Sequence, residues 1–163
     1  MELQILTKGE LDEKLALHHI WLTNFVRQPE TSINQLSLLD TLLSNLQYSK
    51  ANFSCAQLVR CIIRDSSFEE CDFSYALLID SIIQNCDFIN CSFIKTDLRS
   101  ANCRFANFSN SNFTRADFTD ANLQGANLTN CILDGAWLIR TNLANAILDR
   151  IQLRDAKLAE TKI

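Results

Sequence analysis

Ala116-Asp117-Phe118-Thr119-Asp120, Ala121-Asn122-Leu123-Gln124-Gly125 and Ala126-Asn127-Leu128-Thr129-Asn130 follow one another without a break. Each block of five opens with a small residue, continues with Asn or Asp and places Leu or Phe third. The last two positions are mostly polar. A period of five is neither the 3.6 of an α-helix nor the 2.0 of a flat strand. The phase extends far beyond these blocks: from Ile33 to Ile163 there are 27 centres, and all are apolar or aromatic, counting Tyr48 and the thiol Cys103. Two residues before each centre, from Ala51 to Thr161, stand only Ala, Ser, Thr or Cys, apart from Ile151. Such a repeat predicts a solenoid whose units stack and are not stable singly.

A longer period lies on the first. Phe53, Phe73, Phe93 and Phe113 are twenty residues apart, as are Phe68, Phe88 and Phe108. Stacked positions of a solenoid share one environment, so twenty residues make one coil of four pentads with a roughly square section. The centres point inward as four columns, and rings at about 4.8 Å spacing suit the phenylalanines. Asn, Asp and Ser near the corners can bond nearby backbone groups. That lets the chain turn constantly with only three Gly and one Pro.

The run from Ala51 to Ile163 resembles the pentapeptide-repeat family, whose consensus is Ala-Asn/Asp-Leu-X-X. The resemblance implies an all-β solenoid, a right-handed quadrilateral parallel β-helix. About six and a half coils at ~4.8 Å each would give a rod of roughly 30 Å. The expected division is residues 1–30 as an N-terminal helical cap or flank and residues 31–163 as the repeat β-helix. Residues 31–50 form a degenerate first coil in that division, because Leu36 and Leu46 are large for the small position. A short helix over 33–46 is the alternative there.

Thr7 followed by Glu10 reads as a capping box, and Leu6 with Leu11 as a hydrophobic staple. The helix should run from Lys8 to about Arg27, ending at Gln28-Pro29. Leu11, Leu15, Leu22 and Val26 form its apolar stripe, broadened by Ile20 and Trp21. It either closes the open end of the first coil or folds back over an outer face.

Apolar residues at outward positions are the candidate partner surface: Val59, Ile62, Leu77, Ile79 and Ile82, with Trp137 and Ile139 further along. Asn102, Asn122 and Asn142 should stack as one ladder and Asn107 with Asn127 as another. Cys61, Cys71, Cys86, Cys91 and Cys131 occupy the small inward position, Cys103 is a centre, and only Cys55 faces out. The thiols act as small hydrophobes, which suits a reducing compartment. With no C-x-x-C spacing and no basic, apolar leader behind Met1-Glu2-Leu3, the expectation is a cytoplasmic protein without metal or cofactor. The net charge of −4 and the lack of a bilayer-length apolar run argue against a membrane role.

No nucleophile, base or phosphate loop is assembled by the pattern, so no enzyme activity is expected. A non-catalytic interaction or scaffold module is the main expectation. Some members of the family mimic DNA and protect topoisomerases from quinolones, which makes a DNA mimic acting on gyrase the alternative. A short acidic strip, Asp80, Asp97, Asp117 and Asp120, favours it. Arg99 interrupts that strip, and residues 31–163 carry 14 acidic against 12 basic side chains, far below the charge density of a duplex. No basic stripe points to direct nucleic-acid binding. The last coil, with Arg150, Arg154, Asp155, Lys157, Glu160 and Lys162, either protects an end or meets a second copy in an end-to-end homodimer.

Overall fold

The computed structural model describes residues 4–24 and 35–163. The chain winds in turns of twenty residues. Parallel bridges join Asn52 to Asp72, Asp72 to Ser92 and Ser92 to Asn112, and the same offset recurs on every side down to the pair Asn142 and Lys162. Among the described residues, regular strands form before α1 and in the early coils: β1 (Gln4–Ile5), β2 (Thr41–Ser44), β3 (Gln47–Ser49), β4 (Ile62–Arg64), β5 (Ser67–Glu69) and β6 (Asp87–Ile89). They make two parallel sheets, ordered β1-β2-β4 and β3-β5-β6.

One pentad, Ser111 to Arg115, shows why the sequence takes this path. The Ser111 N–H closes a tight turn on the Phe108 carbonyl, and Asn112 N–H reaches back to Cys91 O. The amides of Phe113 and Arg115 point forward, to Ile132 O and Asp134 O. The remaining amide, of Thr114, donates to the Asn112 side-chain oxygen at 2.9 Å. All five backbone donors are thereby paired, which a solenoid with a dry interior requires. The second-position Asn or Asp repeats this bond at Asn52, Asp72, Asp117, Asn122 and Asn127.

Corners fall every fifth residue from Asp40 to Glu160, each with a left-handed backbone. Only Gly125 and Gly135 among them lack a side chain. A left-handed residue with a Cβ costs about 1–2 kcal/mol. Its N–H offsets that cost by bonding the next coil, as Cys55 does to Ser74 O at 2.9 Å.

The interior is four columns of buried centres. Phe53, Phe73, Phe93 and Phe113 stack with centroids 4.7, 5.1 and 4.7 Å apart and nearly parallel planes. Phe68, Phe88 and Phe108 form a second pile beside it, meeting the first edge to face. Hydroxyls and thiols at the small position are buried but not orphaned. Thr96, Ser111 and Thr141 donate to the carbonyls of Phe73, Phe88 and Phe118, each at 2.8 Å. Cys131 does the same to Phe108.

Helix α1 spans Lys8–Asn24; Val26, Arg27 and Gln28-Pro29 lie outside the described residues, as does the centre Ile33. The Thr7 hydroxyl accepts from the Glu10 N–H, and the Glu10 carboxylate accepts from the Thr7 N–H at 2.8 Å. Residues 35–50 form coil, with Ser37 bridged to Gln57. Leu36 and Leu46 are tolerated there because they join the same buried cluster as Leu6 and Leu11. They extend the core toward α1.

His18 fastens α1 to the coil. It is fully buried, takes the Leu36 N–H on Nδ1 at 3.0 Å and donates from Nε2 to Ser54 O at 2.8 Å. One ring thereby ties the helix to two successive coils. Tyr48 adds a bond to Asp12 at 2.7 Å.

Candidate interaction surface

The outward positions form columns the length of the rod. One runs Ser37, Gln57, Leu77, Asp97, Asp117, Trp137, Lys157. A second begins at β1 and runs Ile5, Leu42, Ile62, Ile82, Asn102, Asn122, Asn142, Lys162. Leu39, Val59 and Ile79 follow at twenty-residue spacing on the first column's face, and Ile139 continues that series three coils on.

Leu39, Leu77 and Ile82 are exposed and Val59, Ile62 and Ile79 partly so. The hydrogen bonds of α1 to the coil go to Leu36, Tyr48 and Ser54, and Leu39, Leu77 and Ile82 stay exposed. The patch is larger than the pattern indicated: Ile5, Leu39 and Leu42 belong to it. Leu39 and Leu42 flank in-phase centres and could have been found by counting. Ile5 lies outside the repeat and could not. Between the two apolar faces runs the corner column, where Arg60 clasps Asp40 with two bonds of 2.6 Å. That pairing holds the Asp40 carboxyl below its ordinary range.

Trp137 does not join the patch. Asp97 and Asp117 separate it from Leu77, about 14 Å along the rod at ~4.8 Å per coil. Its indole is 45% exposed, and Lys157 Nζ sits 4.7 Å over the ring. Beside it opens a recess of about 430 Å³ lined by Lys95, Arg115, Asp117, Gly135 and Trp137. The exposed indole and this recess form a second candidate surface.

Two of the four acids of the strip, Asp97 and Asp120, are paired with arginines, and Asp80 stays exposed. Arg99 grips Asp97 at 2.7 Å, and Arg140 holds Asp120 with two bonds of 2.6 Å. Hydrogen bonding to Arg140 lowers the Asp120 pKa. Asp117 accepts the Thr119 N–H. The polar ladders are made in part: Asn142 bonds Asn122 at 3.2 Å while Asn102 meets Asn122 only through the backbone bridge, and Asn127 bonds Asn107 at 3.1 Å, which in turn bonds Asp87. No helix among the described residues is long and apolar enough to cross a membrane.

Residues 61–138 and 81–163 match the family profile described as a pentapeptide repeat region. No curated protein sequence matches the chain. Among solved structures, Rfr23, a pentapeptide repeat protein from the cyanobacterium Cyanothece 51142, is 17% identical, with 88% of this chain and 97% of that one covered and a TM-score of 0.42. Full-length QnrB1, a plasmid-mediated fluoroquinolone resistance protein, is 19% identical over 68% and 71% of the two chains, TM-score 0.36. HetL, from Nostoc sp. strain PCC 7120 and involved in heterocyst differentiation regulation, is 19% identical over 96% and 94%, TM-score 0.22. With more than half of its residues inside the matched repeat region and its rungs set twenty residues apart, the chain belongs to the pentapeptide-repeat family and folds as a right-handed β-helix.

Proposed function

We propose that this protein is a non-catalytic interaction module that docks a protein partner on the aliphatic surface of its early coils. The observation that carries this reading is the open ladder Ile5, Leu42, Ile62, Ile82 beside Leu39, Val59, Ile79 and Leu77. Contiguous apolar surface of this kind costs solubility and is a usual mark of an interface. Catalysis is disfavoured by the state of His18, the buried histidine: both ring nitrogens are taken by backbone groups, so it has no lone pair for a substrate. The buried thiols suit a cytoplasmic setting, where they stay reduced.

Gyrase-directed DNA mimicry is the weaker reading. A duplex-like face needs unpaired negative charge along the rod, and here Asp97 and Asp120 already carry arginines.

Affinity capture with wild type, Ile62→Asp/Ile82→Asp and Ile79→Asp tests the proposal. Partners held by wild type should be lost from both variants, while circular dichroism of all three stays the same. Equal recovery by the three would remove the surface from consideration. Sedimentation of the same proteins identifies self-association: a second copy as partner appears as a wild-type dimer that the variants cannot form.

A further inference from the structure

We propose that the recess beside Trp137 docks an acidic peptide segment of a protein partner, with a carboxylate on Arg115 and an apolar side chain on the indole. The proposal rests on the interaction-module reading and assigns it a second contact with its own chemistry.

The recess exists because a corner side chain is missing. Of the two glycine corners, one is already filled: a Cβ at Gly125 would lie 2.6 Å from the Phe105 ring, which covers the gap. Gly135 has no such cover. The nearest atom to its virtual Cβ is Arg115 Cγ, at 3.3 Å, so only the stem of that arginine borders the space. One wall is the exposed indole, the other the column of Lys95 and Arg115.

Charge selects the occupant. The Arg115 guanidinium has no ion-pair or hydrogen-bond partner among the described residues, and the nearby Asp134 is held by Arg154 at 2.8 Å. Lys95, which lines the recess, lies over the Tyr75 ring, and Lys157 lies over the Trp137 ring that forms the recess wall. These three cations outweigh Asp117 and Asp155 on a chain whose net charge is −4. A guanidinium without a partner is a strong carboxylate receptor, and a cation-flanked indole offers flat apolar area beside it. A nucleic-acid backbone fits poorly, since Asp97 and Asp117 lie along the same face and a phosphate track needs an unbroken basic stripe.

The test uses Trp137 as its own reporter. The chain has two tryptophans, and Trp21→Phe leaves Trp137 alone. The probe is a hexapeptide of alternating Leu and Glu, compared with its Leu/Lys and Leu/Gln counterparts. The expected result is a saturable change in Trp137 emission with the Glu peptide only. It should weaken at least tenfold in Arg115→Glu and in Gly135→Asn. Asn occupies the same left-handed corner at Asn85, Asn110 and Asn130, so the second variant fills the recess at a backbone cost the fold already bears elsewhere. Calorimetric titration of the wild-type chain repeats the measurement without the Trp21 substitution. The proposal is overturned by equal response to the three peptides, by no saturation, or by unchanged binding in Gly135→Asn. Such a failure alongside successful capture by the early-coil patch would leave the module reading standing.

Discussion

Residues 51–90 and residues 101–130 are two stretches of one rod with the same interior and different exteriors. Inside, both present buried rings or Leu and Ile at every fifth position, apart from the thiol of Cys103. Outside, the first shows Ile62, Ile82, Val59 and Ile79, and the second shows Asn102, Asn122, Asn107 and Asn127. The backbone registers the difference. None of the second-position residues in the regular strands, Leu42, Gln47, Ile62, Ser67 or Asp87, bonds the amide two residues on. Where Asn or Asp makes that bond, as at Asn112 and Asn122, the rung shrinks to a single bridge. Single bridges also form at Leu77, Ile82 and Trp137, which make no such bond, so the side chain accompanies the short rung and is not its sole cause. The comparison teaches that the centres hold the fold and the outer columns are free to carry recognition.

The sharpest break of that comparison substitutes one residue from each class. Phe93 is fully buried between Phe73 and Phe113. Phe93→Ala should cost about 3–5 kcal/mol in denaturant unfolding, from lost transfer energy and the cavity between two rings. Ile82→Ala, on an exposed column, should stay within about 0.5 kcal/mol. Comparable losses would mean that the outer aliphatic ladder also holds the fold together.

The interior was legible because every fifth residue is apolar without exception from Leu38 onward, and the Asn ladders because equal spacing puts like side chains on neighbouring rungs. The start of α1 was legible from Thr7 and Glu10 alone. Three features were not. Strand β1 is two residues, too short to carry a period, yet it pairs with β2. His18 beside His19 offers no spacing signal, and its role depends on amides 18 and 36 residues away. The Gly135 recess and the filled Gly125 corner look alike in sequence; what separates them is how the side chain one coil earlier lies.

The two glycines sharpen the comparison at intermediate cost. Ala at Gly125 must hold a φ near +67° and displace Phe105, so Gly125→Ala should lose about 1–2 kcal/mol for the backbone alone and more for the ring. Phe105→Ala in the same chain should recover the part due to the ring. At Gly135 only the flexible Arg115 stem must move, so Gly135→Ala should lose less. Equal losses at the two sites would mean that Phe105 does not rest on Gly125.

The smallest effect at neutral pH belongs to His18, and it distinguishes the capped end from the repeats. Burial lowers the His18 pKa below its ordinary 6.5. Above that value the ring is neutral in both the folded and the unfolded chain, and stability does not depend on it. As pH falls below 6.5, the unfolded chain takes a proton that the folded chain refuses, so stability declines until the lowered folded value is passed. A proton on Nδ1 would also face the Leu36 N–H, setting donor against donor and opening the bond that holds α1 to the coil. Between about pH 8 and about pH 5, above the range where carboxylates titrate, thermal unfolding should show this decline in wild type. It should be absent in His18→Gln. Hydrogen exchange should place the acid-induced loss at Leu36 and α1 while the amides of Phe93 and Phe113 stay protected. A decline shared equally by all coils, or one that survives His18→Gln, would show that this imidazole is not what fastens the helix.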